Sequence, residues 1–267
     1  MKVIKILYAI MILLLIVCMS GIITLMILPD IESSTAITTT KPNEDNPLQS
    51  TSSSPNNDTP VITPSVNDVI LQETEDAGQE YVDKIYFVGE STTYHFFKGG
   101  IDRSHILVPA SGTATLGSDI TQITVGQAGL TIPQAIKEAN AEIVIINFGI
   151  NNAAHFKEVQ YKTYYIKLIN AIKAVSPDTI IIIQSVFPVT YEYSQSSSIT
   201  NEIIDNINVW GKEIALEMGV AYLDTQSILR DENNGLIERF CVGDGIHLNA
   251  EAYELILKYI STHSIYQ

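Results

Sequence analysis

The sequence has few bases and few cysteines, and each scarcity excludes a class of protein. Only 15 of its 267 residues are Lys or Arg, against 30 Asp and Glu, which gives a formal net charge of −15. Nucleic-acid binders need a clustered basic face, so no nucleic-acid partner is expected. Neither a His-x-x-x-His motif nor a Cys pair at ligand spacing is present, so we expect no metal ion and no cofactor.

The two cysteines cannot pair within an exported domain, because Cys18 lies in a long apolar run. That run, from Ile6 to Leu28, has no charged residue and is long enough to span a bilayer. Two lysines precede it, and an acidic segment follows, which predicts a cytoplasmic N-terminus. A cleaved signal peptide is the alternative, but no small-x-small site follows the run. We therefore expect a transmembrane anchor within residues 1–29 and an extracellular remainder, held in the cell membrane by one pass.

The next segment has the composition of a linker. Ser, Thr, Pro and Asn fill 24 of the 38 positions in residues 30–67. Such a segment buries too little apolar surface to offset the entropy of ordering it. Residues 30–82 are therefore predicted to be a disordered stalk, and residues 83–267 a single domain with a full core.

Within that domain, short β-rich segments alternate with helical patterns, as in an α/β fold. Two of the strands, EIVIINF and TIIIIQSVF, are apolar on both faces, which requires helices on both sides of a parallel sheet. The predicted strands are Lys84–Val88, Ile106–Pro109, Glu142–Phe148, Thr179–Phe187 and Val220–Leu223. The predicted helices are Lys157–Val175, Asn201–Met218 and Ala250–Ile260, with another beginning near Thr131.

The residues that follow these strands carry chemistry, because ligands bind outside the carboxyl ends of a parallel sheet. Ser91 follows the first strand, Gly112 the second and Asn151 the third, and Asp244 and His247 precede the last helix. A histidine base activates a serine nucleophile, and a carboxylate orients that histidine.

An acyl-transfer site also needs donors for the developing oxyanion. The candidates are the backbone N–H groups of Ser91 and Gly112 and the side-chain amide of Asn151. Together with the Ser-His-Asp set, they predict a nucleophilic acyl-transfer site.

The order FVGES, Gly, NFGINN and DGIH resembles the SGNH (GDSL-like) hydrolases. The resemblance covers Ile85 to about Ile260 and implies a flavodoxin-like three-layer α/β/α sandwich with a parallel five-stranded sheet. It also implies Ser91 as nucleophile, Asp244 and His247 as its partners, and Gly149-x-Asn151 as the third block. Gly112 best matches the second-block glycine, and Gly129 is its rival.

Two positions depart from that family pattern. Gly-Glu-Ser stands where the family has Gly-Asp-Ser, and Gly-Ile-Asn-Asn stands where it has Gly-x-Asn-Asp. Glu90 retains the acid with one more methylene, and Asn152 loses a charge. An α/β-hydrolase is disfavoured, because its Gly-x-Ser-x-Gly motif requires a second glycine where Thr93 stands.

These observations predict a serine carboxylic-ester hydrolase that removes small acyl groups, above all O-acetyl, from a carbohydrate. The expected partners are an acylated glycan or small ester and, through the N-terminal helix, a membrane. The overall acidity favours neutral glycan esters. Two alternatives stay open: an O-acyltransferase that uses the same acyl-serine, and a catalytically silent surface-binding domain.

Overall fold

The structure, a computed structural model, describes residues 66–109, 115–117, 120–126 and 129–266. The predicted anchor and the part of the predicted stalk before residue 66 lie outside these ranges. Across the described part of the chain, no helix combines the length and the apolar character needed to cross a membrane.

A parallel five-stranded sheet forms the centre of the domain, as the sequence predicts. The strands are β1 (Ile85–Gly89), β2 (Ile106–Leu107), β3 (Thr124–Val125), β4 (Leu130–Thr131), β5 (Ile143–Asn147), β6 (Ile180–Gln184) and β7 (Ala221–Leu223). The order of strands in the sheet is β2-β1-β5-β6-β7, and each neighbouring pair runs parallel. A two-stranded antiparallel hairpin, β3-β4, is separate from this sheet.

The helices begin and end close to the predicted positions because their capping residues are explicit in the sequence. The side chains of Thr131, Thr200 and Asn249 each accept a backbone N–H at a helix start, and Gly219 ends a helix in the left-handed conformation. The α-helices are α1 (Gly78–Val82), α2 (Ser91–Tyr94), α3 (Ile132–Ala139), α4 (Glu158–Val175), α5 (Tyr191–Ser196), α6 (Asn201–Met218) and α7 (Ala250–Ser261).

Two hydrophobic cores lie on opposite faces of the sheet and give the molecule its three layers. Alternate residues of β5 enter different cores: Val144 and Ile146 belong to one, and Ile143 and Ile145 belong to the other. The first core is closed by α3, α4 and α6, and the second by α1 and α7. Each fully buried aliphatic side chain stabilises the folded state by about 1.5–3 kcal/mol. The apolar strands β5 and β6 therefore lie in the interior of the sheet, where both of their faces are covered.

The buried face of α6 differs slightly from the predicted one. The sequence pattern predicts a face of Ile203, Ile207, Trp210, Ile214 and Met218. Ile207 and Ile214 are fully buried as predicted, whereas Ile203, Trp210 and Met218 are only partly buried. Ile204 and Gly211 are buried instead. Gly211 allows Tyr222 of β7 to approach, since a Cβ there would lie 3.1 Å from the tyrosine ring. The buried face of α6 therefore keeps Ile207 and Ile214 at its centre and extends towards Ile204 and Gly211.

The folded domain also begins earlier than the sequence predicts. Residues 66–82 fall in the predicted stalk, yet Tyr81 and Val82 are buried in the second core. Ile70 forms a parallel bridge with Tyr222, which extends the sheet beside β7. The apolar segment Val69–Leu71 explains the difference, because it supplies the burial that the polar stretch before it lacks.

Candidate active site

The site lies where β1 ends and α2 begins. Gly89 is the last residue of β1, and Ser91 is the first residue of α2. A Cβ at Gly89 would lie 2.1 Å from Thr93 Oγ1 and 2.3 Å from the Asn147 carbonyl oxygen, so only glycine fits there. This close approach turns the chain sharply and places Ser91 at the carboxyl edge of the sheet.

Ser91, His247 and Asp244 form one hydrogen-bonded chain. Ser91 Oγ lies 3.0 Å from His247 Nε2, and His247 Nδ1 lies 2.7 Å from Asp244 Oδ2. If Nδ1 donates its proton to the carboxylate, Nε2 is left free to accept the serine proton. The fold thus brings three of the predicted site residues together, in an arrangement that can activate a hydroxyl as a nucleophile.

Asp244 is fixed by its own backbone as well as by the imidazole. Its Oδ1 accepts the backbone N–H groups of Ile246 at 2.9 Å and of His247 at 2.8 Å. Partial burial raises the pKa of Asp244, but these backbone donors and the His247 ring outweigh burial and lower its pKa to about 2. Asp244 is therefore ionised throughout the neutral range and can stabilise a protonated His247.

The loop that carries Asp244 is braced from two sides. Cys241 Sγ accepts the N–H groups of Gly243 at 3.3 Å and of Gly245 at 3.2 Å. On the other side, the Thr190 N–H donates to the Gly245 carbonyl oxygen at 2.9 Å. Gly245 has φ +85°, and a Cβ there would lie 2.6 Å from Tyr193 Cβ.

The segment Thr190–Thr200, TYEYSQSSSIT, follows the fourth predicted strand, and its sequence is equally compatible with a loop over the site and with a polar connection. The segment forms the short helix α5, with Thr190 as its N-cap. Through Tyr193 it supports the back of the loop that holds Asp244.

Glu90, the residue before the nucleophile, is completely buried. One of its oxygens, Oε2, accepts the Asn151 N–H at 3.1 Å, whereas Oε1 has no hydrogen-bond partner in the described part of the chain. Burial raises the pKa of Glu90 to about 8, against the opposing effect of the backbone N–H groups of Asn151, Gly149 and Ile150. At neutral pH the carboxyl group is therefore mostly protonated. Its hydrogen bond with the Asn151 N–H connects the Gly149–Asn151 segment to the residue before Ser91.

The predicted oxyanion donors are placed only in part. The Asn151 backbone is held beside the nucleophile through Glu90. The Ser91 N–H lies in the first turn of α2, where a backbone N–H has no hydrogen-bond acceptor within its own helix. Gly112 lies outside the described residues, and Gly129 lies at the end of the β3-β4 turn with φ +65°. The choice between these two glycines therefore stays a prediction.

His95, for which the sequence predicts only a surface or pocket-lining role, packs against the candidate base. The ring centres of His95 and His247 are 5.3 Å apart in an edge-to-face arrangement. Burial, with the positive charges of Lys98 and His247, lowers the pKa of His95 to about 4, so its ring is neutral at neutral pH. The only signal in the sequence was its position, one turn after Ser91 in α2 and the 3₁₀ turn that continues it.

Comparison with known proteins agrees with this architecture. A GDSL-like Lipase/Acylhydrolase family model matches residues 87–255. No curated protein sequence matches the chain. Among solved structures, a candidate platelet activating factor from Streptococcus pneumonia is 20% identical, with a TM-score of 0.53, over 66% of this chain and 81% of that one.

A candidate acylhydrolase from Bacteroides fragilis is 17% identical, with a TM-score of 0.53, over 71% of this chain and 88% of that one. At these identities the two structures show the fold alone. The family model, however, spans well over half of the 267 residues, including the candidate nucleophile and its partners. The chain belongs to the GDSL-like lipase/acylhydrolase family.

Proposed function

We propose that the protein is a serine esterase that removes small acyl groups, above all acetyl, from the hydroxyls of a carbohydrate. The observation that carries this proposal is the continuous hydrogen-bonded chain from Ser91 through His247 to Asp244. Membership of a lipase and acylhydrolase family supports ester chemistry as the reaction class.

In the proposed reaction, the Ser91 hydroxyl gives its proton to His247 Nε2 while Oγ attacks the ester carbonyl. The tetrahedral intermediate collapses, the alcohol leaves with the proton from His247, and the acyl group stays on Ser91. A water molecule then loses a proton to His247 and attacks the acyl-serine, releasing the acid and restoring the serine hydroxyl. Asp244 stays ionised and stabilises the imidazolium in both halves.

The negative oxygen of the intermediate needs fixed donors, each worth about 10²–10³ in rate. The Ser91 N–H and the Asn151 side-chain amide are our candidates, with Gly112 as the third. Glu90 supports this set, because it holds the Asn151 backbone next to the start of α2.

A carbohydrate substrate is supported by the open, aromatic surroundings of the site. The side chains of His247 and Asp244 are 27% and 47% exposed, which leaves room for a bulky alcohol group. Tyr94 follows Ser91 by one helical turn and is 40% exposed, so its ring is available to stack on a sugar face.

We also propose that the domain works outside the cell, on a tether. The support is the charge-free run at residues 6–28, with two lysines before it and an acidic segment after it. Digestion of intact cells with an added protease tests this, and the proposal predicts loss of the domain while a cytoplasmic marker survives. A domain that resists until the cells are broken contradicts it.

Hydrolysis of 4-nitrophenyl acetate by the full chain tests the chemistry. We expect Ser91→Ala to lower kcat/KM by about 10³-fold or more, since the acyl-enzyme cannot form. Ser176→Ala, at the opposite edge of the sheet, is the matched control and should retain full activity. Equal turnover by the wild type and Ser91→Ala contradicts the proposal.

An O-acetylated sugar replaces the aryl ester in the second experiment. Acetate release with the same dependence on Ser91 supports the substrate class. Preferential transfer of the acetyl group to an added acceptor glycan identifies the acyltransferase alternative instead.

A further inference from the structure

Lys98 and Arg103 are positively charged side chains that follow Ser91 in a domain with a negative net charge. Residues 83–267 contain 20 acids and 12 bases, and six of those bases lie in ion pairs with acids. Of the other six bases, Lys98 and Arg103 are the two that follow Ser91 most closely in the chain, and neither has a carboxylate within 4.0 Å among the described residues. An unpaired cation near a candidate active site is a candidate for substrate binding.

Arg103 is held in place by aromatic side chains. Its Cζ lies 3.6 Å from the ring centre of Phe97, and its Nη1 donates to Tyr94 Oη at 2.7 Å. A stacked guanidinium loses less freedom when it binds a ligand than a mobile one, and it keeps further N–H donors for a planar anion. Because Arg103 is exposed, a ligand can reach those donors.

Lys98 lies closer to the candidate base. Its Nζ donates to the Leu248 carbonyl oxygen at 3.2 Å, next to His247 in the chain. The positive charges of Lys98 and Arg103 both contribute to the low pKa of His95, so both act electrostatically on the same part of the site.

A chain of ring contacts limits how far Arg103 can be from the reacting groups. His247 and His95 have ring centres 5.3 Å apart, and those of His95 and Phe97 are 6.0 Å apart. Arg103 then stacks on Phe97 at 3.6 Å. The distance from the guanidinium to the imidazole is therefore no greater than the sum of these three distances. A short oligosaccharide can span that distance.

We propose that Arg103, with Lys98, forms a subsite for a carboxylate on the alcohol side of the substrate, as in an acetylated oligosaccharide that contains a uronic acid. This inference rests on the proposed esterase function and names its substrate class. The planar fork of the guanidinium matches a carboxylate, and the aromatic rings beside it contact the sugar. The local charge thus overrides the overall acidity, which on its own favours neutral esters.

The test compares acetate release by the full chain from two matched sugars. They are two acetylated disaccharides that differ only in the ring without the acetyl ester, which is a glucuronate in one and a glucose in the other. We expect kcat/KM to be about five- to tenfold higher for the uronate, and we expect this preference to shrink as NaCl is raised.

Arg103→Gln should bring the ratio of the two kcat/KM values close to one. Lys137→Gln, which removes the same charge at the opposite edge of the sheet, should leave the ratio unchanged. An equal or lower kcat/KM for the uronate overturns the inference. So does an Arg103→Gln effect that is the same on both sugars, because that result shows a structural role.

Binding separates failure of the subsite from failure of the esterase proposal. NMR titration of Ser91→Ala with each acetylated sugar measures affinity without turnover. Tighter binding of the uronate, lost on adding Arg103→Gln, supports the subsite even if neither sugar is hydrolysed. Equal binding of both sugars overturns it, whatever the wild type does with 4-nitrophenyl acetate.

Discussion

The buried carboxyl group of Glu90 gives the protein a specific dependence of stability on pH. Its native pKa of about 8 lies above the ordinary value of 4.5. Since the native pKa is the higher one, the unfolded chain loses this proton first as the pH rises. The stabilising effect is therefore complete below about pH 4.5 and is lost as the pH rises through 8.

The size of the effect follows from the two pKa values. They differ by about 3.5 units, and each unit is worth about 1.4 kcal/mol, so Glu90 costs about 5 kcal/mol of folding free energy well above pH 8. That is a large share of the 5–15 kcal/mol that stabilises a typical domain.

Glu90→Gln removes the titration and keeps an acceptor for the Asn151 N–H. We expect the free energy of unfolding of this variant, relative to the wild type, to rise by a few kcal/mol between pH 5 and pH 9. Urea unfolding of the full chain at several pH values measures it. Glu138→Gln, at an exposed site on α3, is the control and should show no such trend.

If the wild type and Glu90→Gln lose stability in parallel as the pH rises, the titration of Glu90 is not the cause. Glu90→Leu provides a second check, because it removes the acceptor for the Asn151 N–H as well as the charge. We expect it to lower kcat more than Glu90→Gln does. Equal activities of the two variants would show that the hydrogen bond to Asn151 has no part in positioning the oxyanion donors.

Three further substitutions test the roles of Asp244, Gly89 and Tyr253. Asp244→Asn should lower kcat for 4-nitrophenyl acetate by about 10²–10⁴-fold, since the imidazole loses its anionic partner. Steady-state kinetics measures this loss, and a loss below tenfold contradicts the assigned role. Gly89→Ala should destabilise the fold by at least about 1–3 kcal/mol, because its Cβ meets backbone oxygen; a melting temperature equal to that of the wild type argues against the close approach. Tyr253→Phe should lower the free energy of unfolding in urea by about 1–3 kcal/mol, since the buried Thr92 carbonyl oxygen loses its phenol donor at 2.6 Å. An unchanged unfolding midpoint refutes that interpretation.

Much of the sheet could be predicted because burial on two faces leaves a clear pattern. Strands such as β5 and β6 are continuous apolar segments, and their order along the chain alternates with helices that have explicit capping residues. The five predicted strands are present, with ends that differ by a few residues. The helix starts follow from Thr131, Thr200 and Asn249, whose side chains accept backbone N–H groups as local chemistry dictates.

The hairpin and the start of the domain could not be predicted, because they depend on distant contacts. Strands β3 and β4 have two residues each, too few for a period to be visible. Ile70 becomes part of the sheet only because Tyr222, far away in the chain, offers an edge.

Within the site, Ser91, His247 and Asp244 could be identified because motif order and strand ends place them on one rim. The burial of Glu90 could not be predicted, since an acid beside a nucleophile is ordinarily solvated. Its tertiary environment, closed by the Gly149–Asn151 segment, decides its protonation. The stacking of Arg103 on Phe97 likewise depends on the turn that folds the two residues together.

In the proposed reaction, Ser91 becomes acylated during turnover. The most direct measurement is mass spectrometry of the full chain after brief reaction with 4-nitrophenyl acetate and rapid acid quenching. We expect one acetyl group, on the peptide that contains Ser91, and its absence in Ser91→Ala. Turnover with no acetyl group on that peptide, or with the acetyl group on another residue, contradicts it.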